Sequence, residues 1–175
     1  MENFKELYKE LADKLANNVT GIKWVDLWNS QVYNLEGEHP FPAPAIFLAI
    51  RSNVMSDTGV KTQNVEMQID VFLFYETFAD TYRGSWNQDT ALSYLDNIDE
   101  INKVLHGSQG NNYTNMSRIS FSPVDTGGAG NLYSITYKCT AIDYSAAIQY
   151  EDGTFADLKI DPNHNTGYFI DPETN

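Results

Sequence analysis

The chain has 175 residues and carries 24 acidic against 11 basic side chains, for a formal charge of −13. This is one domain's length. A compact chain of this size hides roughly 70 percent of its unfolded surface, so its core requires neither disulfides nor a structural metal, and the single cysteine, Cys139, could supply neither. The acidity argues against a free-standing nucleic-acid-binding module or an anionic-membrane binder, both of which need clustered Lys and Arg.

The N-terminus, Met1-Glu2-Asn3-Phe4-Lys5-Glu6, lacks the basic patch and apolar run of a signal peptide. The longest apolar stretch, residues 43–50 with Pro44 inside it, is less than half of the ~20 residues a spanning helix needs. The expectation is a soluble protein made in a cytoplasm.

Phe4, Leu7, Leu11 and Leu15 recur every three or four residues, with Glu6, Lys9, Glu10, Asp13 and Lys14 on the other faces, which predicts an amphipathic helix ending near Ala16. The run Ile22 to Trp28 is rich in β-branched and aromatic residues and predicts a strand, with a bulge or strand end at Leu27-Trp28. The unbroken apolarity of residues 45–50 suits a central strand covered on both faces. In residues 64–75, Val65, Met67, Ile69, Val71, Leu73 and Tyr75 alternate with Asn64, Glu66, Gln68 and Asp70, the period of a strand. Residues 52–61 between those two strands have little apolar content and read as a long hairpin loop.

Leu92, Leu95, Ile98, Ile101 and Leu105 form one face of a second helix, with Asp89 as N-cap, Gly107 as terminator and His106 near the C-terminal end. Residues 119–121 and 132–142 give two more strands, joined by a glycine-rich turn at residues 125–130. Cys139 falls on the inward side of the last strand and reads as an inert core thiol. The elements run α-β-β-β-α-β-β, an α+β domain over residues 1–144 with a mixed or mainly antiparallel sheet and two helices packed on it. Residues 145–175 form a C-terminal arm. Turn signals at Glu151-Asp152-Gly153, Asp161-Pro162-Asn163 and Asp171-Pro172-Glu173 cut it into short pieces, yet Ile148, Tyr150, Phe155, Leu158, Ile160, Tyr168, Phe169 and Ile170 are too many apolar residues for a simple disordered tail. The arm is expected to lie on a surface, its own or a neighbour's.

No catalytic signature survives inspection. Asp57-Thr58-Gly59 and Asp125-Thr126-Gly127 resemble the paired turns of aspartic proteases, but neither follows an apolar strand nor precedes a bracing hydrophobic-hydrophobic-Gly segment, and ordinary turn chemistry accounts for both. His39, His106 and His164 lack any metal-ligand spacing. Residues 127–130 lack the Lys-Ser/Thr of a phosphate loop and precede a strand. No enzyme activity, cofactor or metal is expected. A competing reading is a small-ligand-binding α+β domain in which Trp24, Tyr133 and Tyr137 line a pocket between sheet and helices.

The N-terminal helix through Leu15, the Ile22 to Trp28 strand, the Pro42-Ala43-Pro44-Ala45-Ile46-Phe47 lead into the next strand, the strand at residues 65–75, the late helix and the strand at residues 132–142 together resemble the tail terminator or tail-completion proteins of long-tailed bacteriophages and prophages. The resemblance is one of element order over residues 1–144, without an invariant motif. It implies a structural, homo-oligomeric ring, a hexamer in the family, at the end of the tail tube, joining it to the head, with tail-tube and neck proteins as partners and DNA passing through without specific binding. It leaves open another neck or tail-tube subunit. An acidic lumen would let DNA slide rather than hold it. Expected interface residues are Asn53, Val54, Met55, Ser56 and Asp57 of the hairpin, for contact with the tail tube or an adjacent ring, and Phe155, Leu158, Tyr168 and Phe169 of the arm.

Overall fold

The computed structural model describes residues 4–33, 41–76, 80–127 and 130–147, with the backbone alone for Val54. Strand β3 (Thr62–Tyr75) is the centre of a five-stranded sheet of order β1-β2-β3-β5-β4, with β1 at Trp24–Leu27, β2 at Ala45–Gly59, β4 at Thr114–Val124 and β5 at Asn131–Asp143. Strand β1 runs parallel to β2 and every other pairing is antiparallel, so the sheet is mixed and the class is α+β. Residues 45–50 therefore lie one strand from the centre, because the alternating strand that follows pairs on both its edges, with β2 and with β5.

The alternation in β3 sorts its side chains as a period of two requires. Val65, Met67, Ile69, Val71 and Leu73 are buried on one face, under helices α1 (Phe4–Asn18) and α3 (Tyr94–Leu105), which contribute Leu7, Leu11, Leu15, Ile98, Ile101 and Leu105 to the same core. Burying each such side chain contributes about 1.5–3 kcal/mol before ordering costs. Lys14 ties α1 to the α3–β4 connection through the Gln109 carbonyl at 3.1 Å and the Tyr113 hydroxyl at 2.5 Å.

The opposite face has a core of its own. Ala45, Phe47, Phe74 and Leu132 are buried there with Val32 of a short 3-10 turn (Gln31–Tyr33), and Trp28, Phe41 and Phe72 pack against them. Trp28 stacks on Phe72 with centroids 4.1 Å apart, and Phe41 meets Phe47 and Phe74 edge-on. Strand β1 ends at Leu27, and Trp28, its amide still bonded to the Leu48 carbonyl at 2.9 Å, packs its ring into this second core. Residues 45–48 are covered on both faces, as their unbroken apolarity predicts.

Two expectations need correction. The second helix is split: α2 (Gln88–Leu92) ends at Ser93, whose hydroxyl donates to the Thr90 carbonyl, and α3 begins one residue later. Asn87, rather than Asp89, precedes α2, and Asp89 lies within its first turn. The break rotates the apolar face by a residue, so Tyr94 is buried against Tyr133 with hydroxyls 3.4 Å apart, while Leu95 is 38% exposed. Residues 52–61 are likewise no long loop. Strand β2 continues to Gly59 against β3, with register shifts between Ser52 and Val54 and between Asp57 and Gly59, and the tip is Val60-Lys61, with Lys61 at φ 59°. Low apolar content here reflects solvent on most of the hairpin end; it does not reflect absence of pairing.

Candidate functional site

Strand β2 reaches much farther than its outer neighbour. The four residues of β1 pair with residues 45–48 of β2, while residues 49–59 are bonded to β3 on the inner side and have no strand on the outer side among the described residues. The hairpin interface candidates all lie on this flank. Asn53 is the bulged residue, with its amide nitrogen 3.5 Å from Gln68 Oε1. Val54 pairs with Glu66, Met55 with Val65, Ser56 with Asn64 and Asp57 with Gln63, whose Nε2 donates to Asp57 Oδ1 at 3.1 Å. Met55 is half exposed. The other four candidates, Phe155, Leu158, Tyr168 and Phe169, lie outside the described residues, as do His39 and His164.

The flank is held to the sheet by a polar cluster on the second face. Asp70, almost wholly buried, accepts from the Arg51 guanidinium, from Thr136 Oγ1 at 2.8 Å and from Gln68 Nε2 at 3.0 Å. A buried carboxylate is tolerated only when hydrogen-bonded and paired in this way. Lys138 and Glu66, 3.0 Å apart, continue the strip toward the hairpin end. The sequence shows Asp70 only as one polar residue in an alternating strand; its position between Arg51 and Thr136 appears once the strands are paired.

Where β1 ends, a cleft of about 490 Å³ opens beside the flank, lined chiefly by Phe4, Tyr8, Leu27, Trp28, Leu48 and Ile50. At the far end of the flank, Asp57, Lys61 and Gln63 border a shallow depression with Asp143, Ser145 and Ala146. The structure therefore brings the hairpin end and residues 143–146, which follow β5, to the same end of the sheet.

The other constellations do not assemble. Asp57 lies level with Gln63, whereas Asp125 follows Val124, which pairs with Leu132 opposite Phe74. At ~3.4 Å per residue that separates the two carboxylates by roughly 35 Å along the sheet, too far to share a proton. Tyr137 is fully buried in the helix-side core and Trp24 is on the far edge strand, three strands away, so they do not line one pocket with Tyr133. Burial pushes the Tyr137 phenol well above its usual range, Arg118 only partly opposing it, and pushes Cys139 up to about 12, leaving an unreactive thiol. His106 caps α3, and its Nδ1 accepts the Arg118 amide at 3.0 Å. Among the described residues no three His, Cys, Asp or Glu side chains converge on a metal position, and no helix is long and apolar enough to cross a membrane.

No family model matches the chain, and no curated protein matches it either.

Proposed function

We propose that the protein is a structural, ring-forming subunit of a bacteriophage tail or neck, terminating the tail tube and joining it to the head. The reading is supported chiefly by element order: one helix, three strands, a helical segment and two strands follow one another along the chain as in the tail-terminator proteins it resembles, and they fold into one mixed sheet with the helices on one face. The open flank of β2 is a surface such a subunit can use, because rings arise when one subunit's patch meets a different patch on the next and the rotation closes. In this role the chemistry is mechanical. The charge of −13 suits a ring through which DNA slides, since phosphates are repelled rather than held.

The test is electron microscopy of lysates from a phage or prophage whose copy of this coding sequence carries an early stop codon. The expected result is filled heads and tails that remain separate, with joining restored when the protein is supplied in trans. Normal joined particles, or a block at head formation with no tails affected, would overturn the reading.

A further inference from the structure

We propose that the outer flank of β2, residues 49–59, is the receptor edge for an added strand supplied by residues 154–160 of a second copy of this chain. The proposal rests on the ring reading above and names the contact that would build the ring.

The receptor half follows from backbone direction. On the β1 side of β2, the carbonyls of Pro44 and Leu48 accept from Lys23 and Trp28 at 2.9 Å. Successive residues of a strand point to alternate sides, so the backbone groups of Ile50 and Ser52 face the same outward direction, beyond the last residue of β1. A row of such groups is a template for another strand. The flank carries no proline or lysine to discourage pairing. An added strand would continue the line that β1 leaves at Leu27. Apolar side chains on its helix-side face would meet Ile50 and Met55 and the cleft of about 490 Å³ beside them.

The donor half follows from where the chain leaves the sheet and from its sequence. Strand β5 ends at Asp143, opposite Gln63 and next to the hairpin end, and a turn closed by the Ala147 amide on the Tyr144 carbonyl follows. Beyond it, between Gly153 and Asp161-Pro162, Ala156, Leu158 and Ile160 alternate with Asp157 and Lys159, Phe155 being the one apolar residue on the latter phase. That is a period of two bounded by turn residues, the pattern of a strand with one apolar face. The segment is short, which matches a strand that cannot stand alone and gains its hydrogen bonds only on another sheet. One subunit's segment on the next subunit's flank is a head-to-tail contact, the kind that closes rings.

Two variants of the full chain that each add one cysteine to the native Cys139, Met55→Cys and Leu158→Cys, test the pairing when purified separately, mixed and oxidised, with Lys159→Cys covering the neighbouring register. Facing residues on paired strands have Cβ atoms about 4.5–5.5 Å apart, close enough for a disulfide after small shifts. Buried Cys139 does not compete. The expected result is a disulfide-linked heterodimer from the mixture. In the unmodified full chain the Ile50 and Ser52 amides are expected to exchange with solvent more than tenfold slower than in the full-length Leu158→Pro variant, and dilution should remove the difference. No heterodimer together with equal exchange in the two proteins overturns the proposal. So does slowing that is independent of concentration, which would put the segment on its own sheet. If native mass still shows a closed oligomer in either case, the ring reading survives and only this contact fails; a monomer at every concentration removes both.

Discussion

The two outer edges of the sheet are treated differently. On β4 the connection from α3 folds back along the strand: Met116 accepts from the Gly107 amide at 2.7 Å and donates to the Ser108 carbonyl at 3.0 Å, and the Arg118 amide donates to His106. Two register shifts and Asn115 at φ 55° distort the same strand, and Pro123 removes a further donor. These are the devices by which proteins blunt an edge against unwanted pairing. On β2 the outer strand stops at Leu27, and the long flank beyond it, although it also has two register shifts, at Asn53 and Thr58, has no proline and no segment folded back along it among the described residues. Among the described residues the start of β4 is thus covered and the flank of β2 is not, and the proposed contact between subunits would use that uncovered flank.

The largest expected effect comes from closing that open edge. Ser52→Pro removes an outward amide without touching the bonds to β3, so assembly should be lost while the isolated subunit keeps its fold; circular dichroism and native mass together check this. Unchanged assembly would mean the flank is idle. A smaller effect concerns how the flank is anchored. Arg51→Ala leaves the buried Asp70 carboxylate with Thr136 and Gln68 but without its guanidinium, and because the Arg51 side chain is itself 61% exposed the cost should be about 1–2 kcal/mol, well below that of breaking a fully buried pair. Urea denaturation measures it, and no loss would show that the ion pair does not hold β2 to β3.

The smallest effect has the opposite sign and lies on the closed side, in β5 beside β4. The Tyr137 hydroxyl is buried without a hydrogen-bond partner among the described residues, so Tyr137→Phe should stabilise the fold by up to about 1 kcal/mol. It should also flatten the alkaline limb of the stability curve. Burial raises Cys139 and, together with the Tyr133 hydroxyl, Tyr94, each to about 12, and raises Tyr137 further. The folded chain therefore holds protons that the unfolded chain releases. This contribution is complete below about pH 8.5, under the unfolded values of Cys and Tyr, and is lost as pH rises through 9 to 12. Thermal unfolding at pH 8 and pH 10.5 reads both effects, and a steeper loss in the Phe variant would contradict the assignment.

Local periodicity made much of the fold legible. The Leu7, Leu11 and Leu15 stripe and the β3 alternation each specify a face, and the structure buries those faces together. The second core was half written in the same strand: the polar phase of β3 runs Asn64, Glu66, Gln68, Asp70 and then turns to Phe72 and Phe74, which marks where Trp28 and Phe41 cover the sheet. The hairpin end defeated the reading because a paired strand with solvent on most of its surface carries no apolar alternation to distinguish it from a loop. The openness of an edge is not a property of any segment. It depends on where β1 stops relative to β2, and on which loop returns along β4, and both appear only once the strands are assembled.

The central claim is that the subunit closes into a ring through head-to-tail contacts, and native mass spectrometry of the unmodified full chain over a hundredfold concentration range tests it most directly. The expected result is one dominant mass, a fixed multiple of 19.8 kDa, that persists across the upper range. A monomer throughout, or an open-ended ladder of masses without a preferred size, would contradict it.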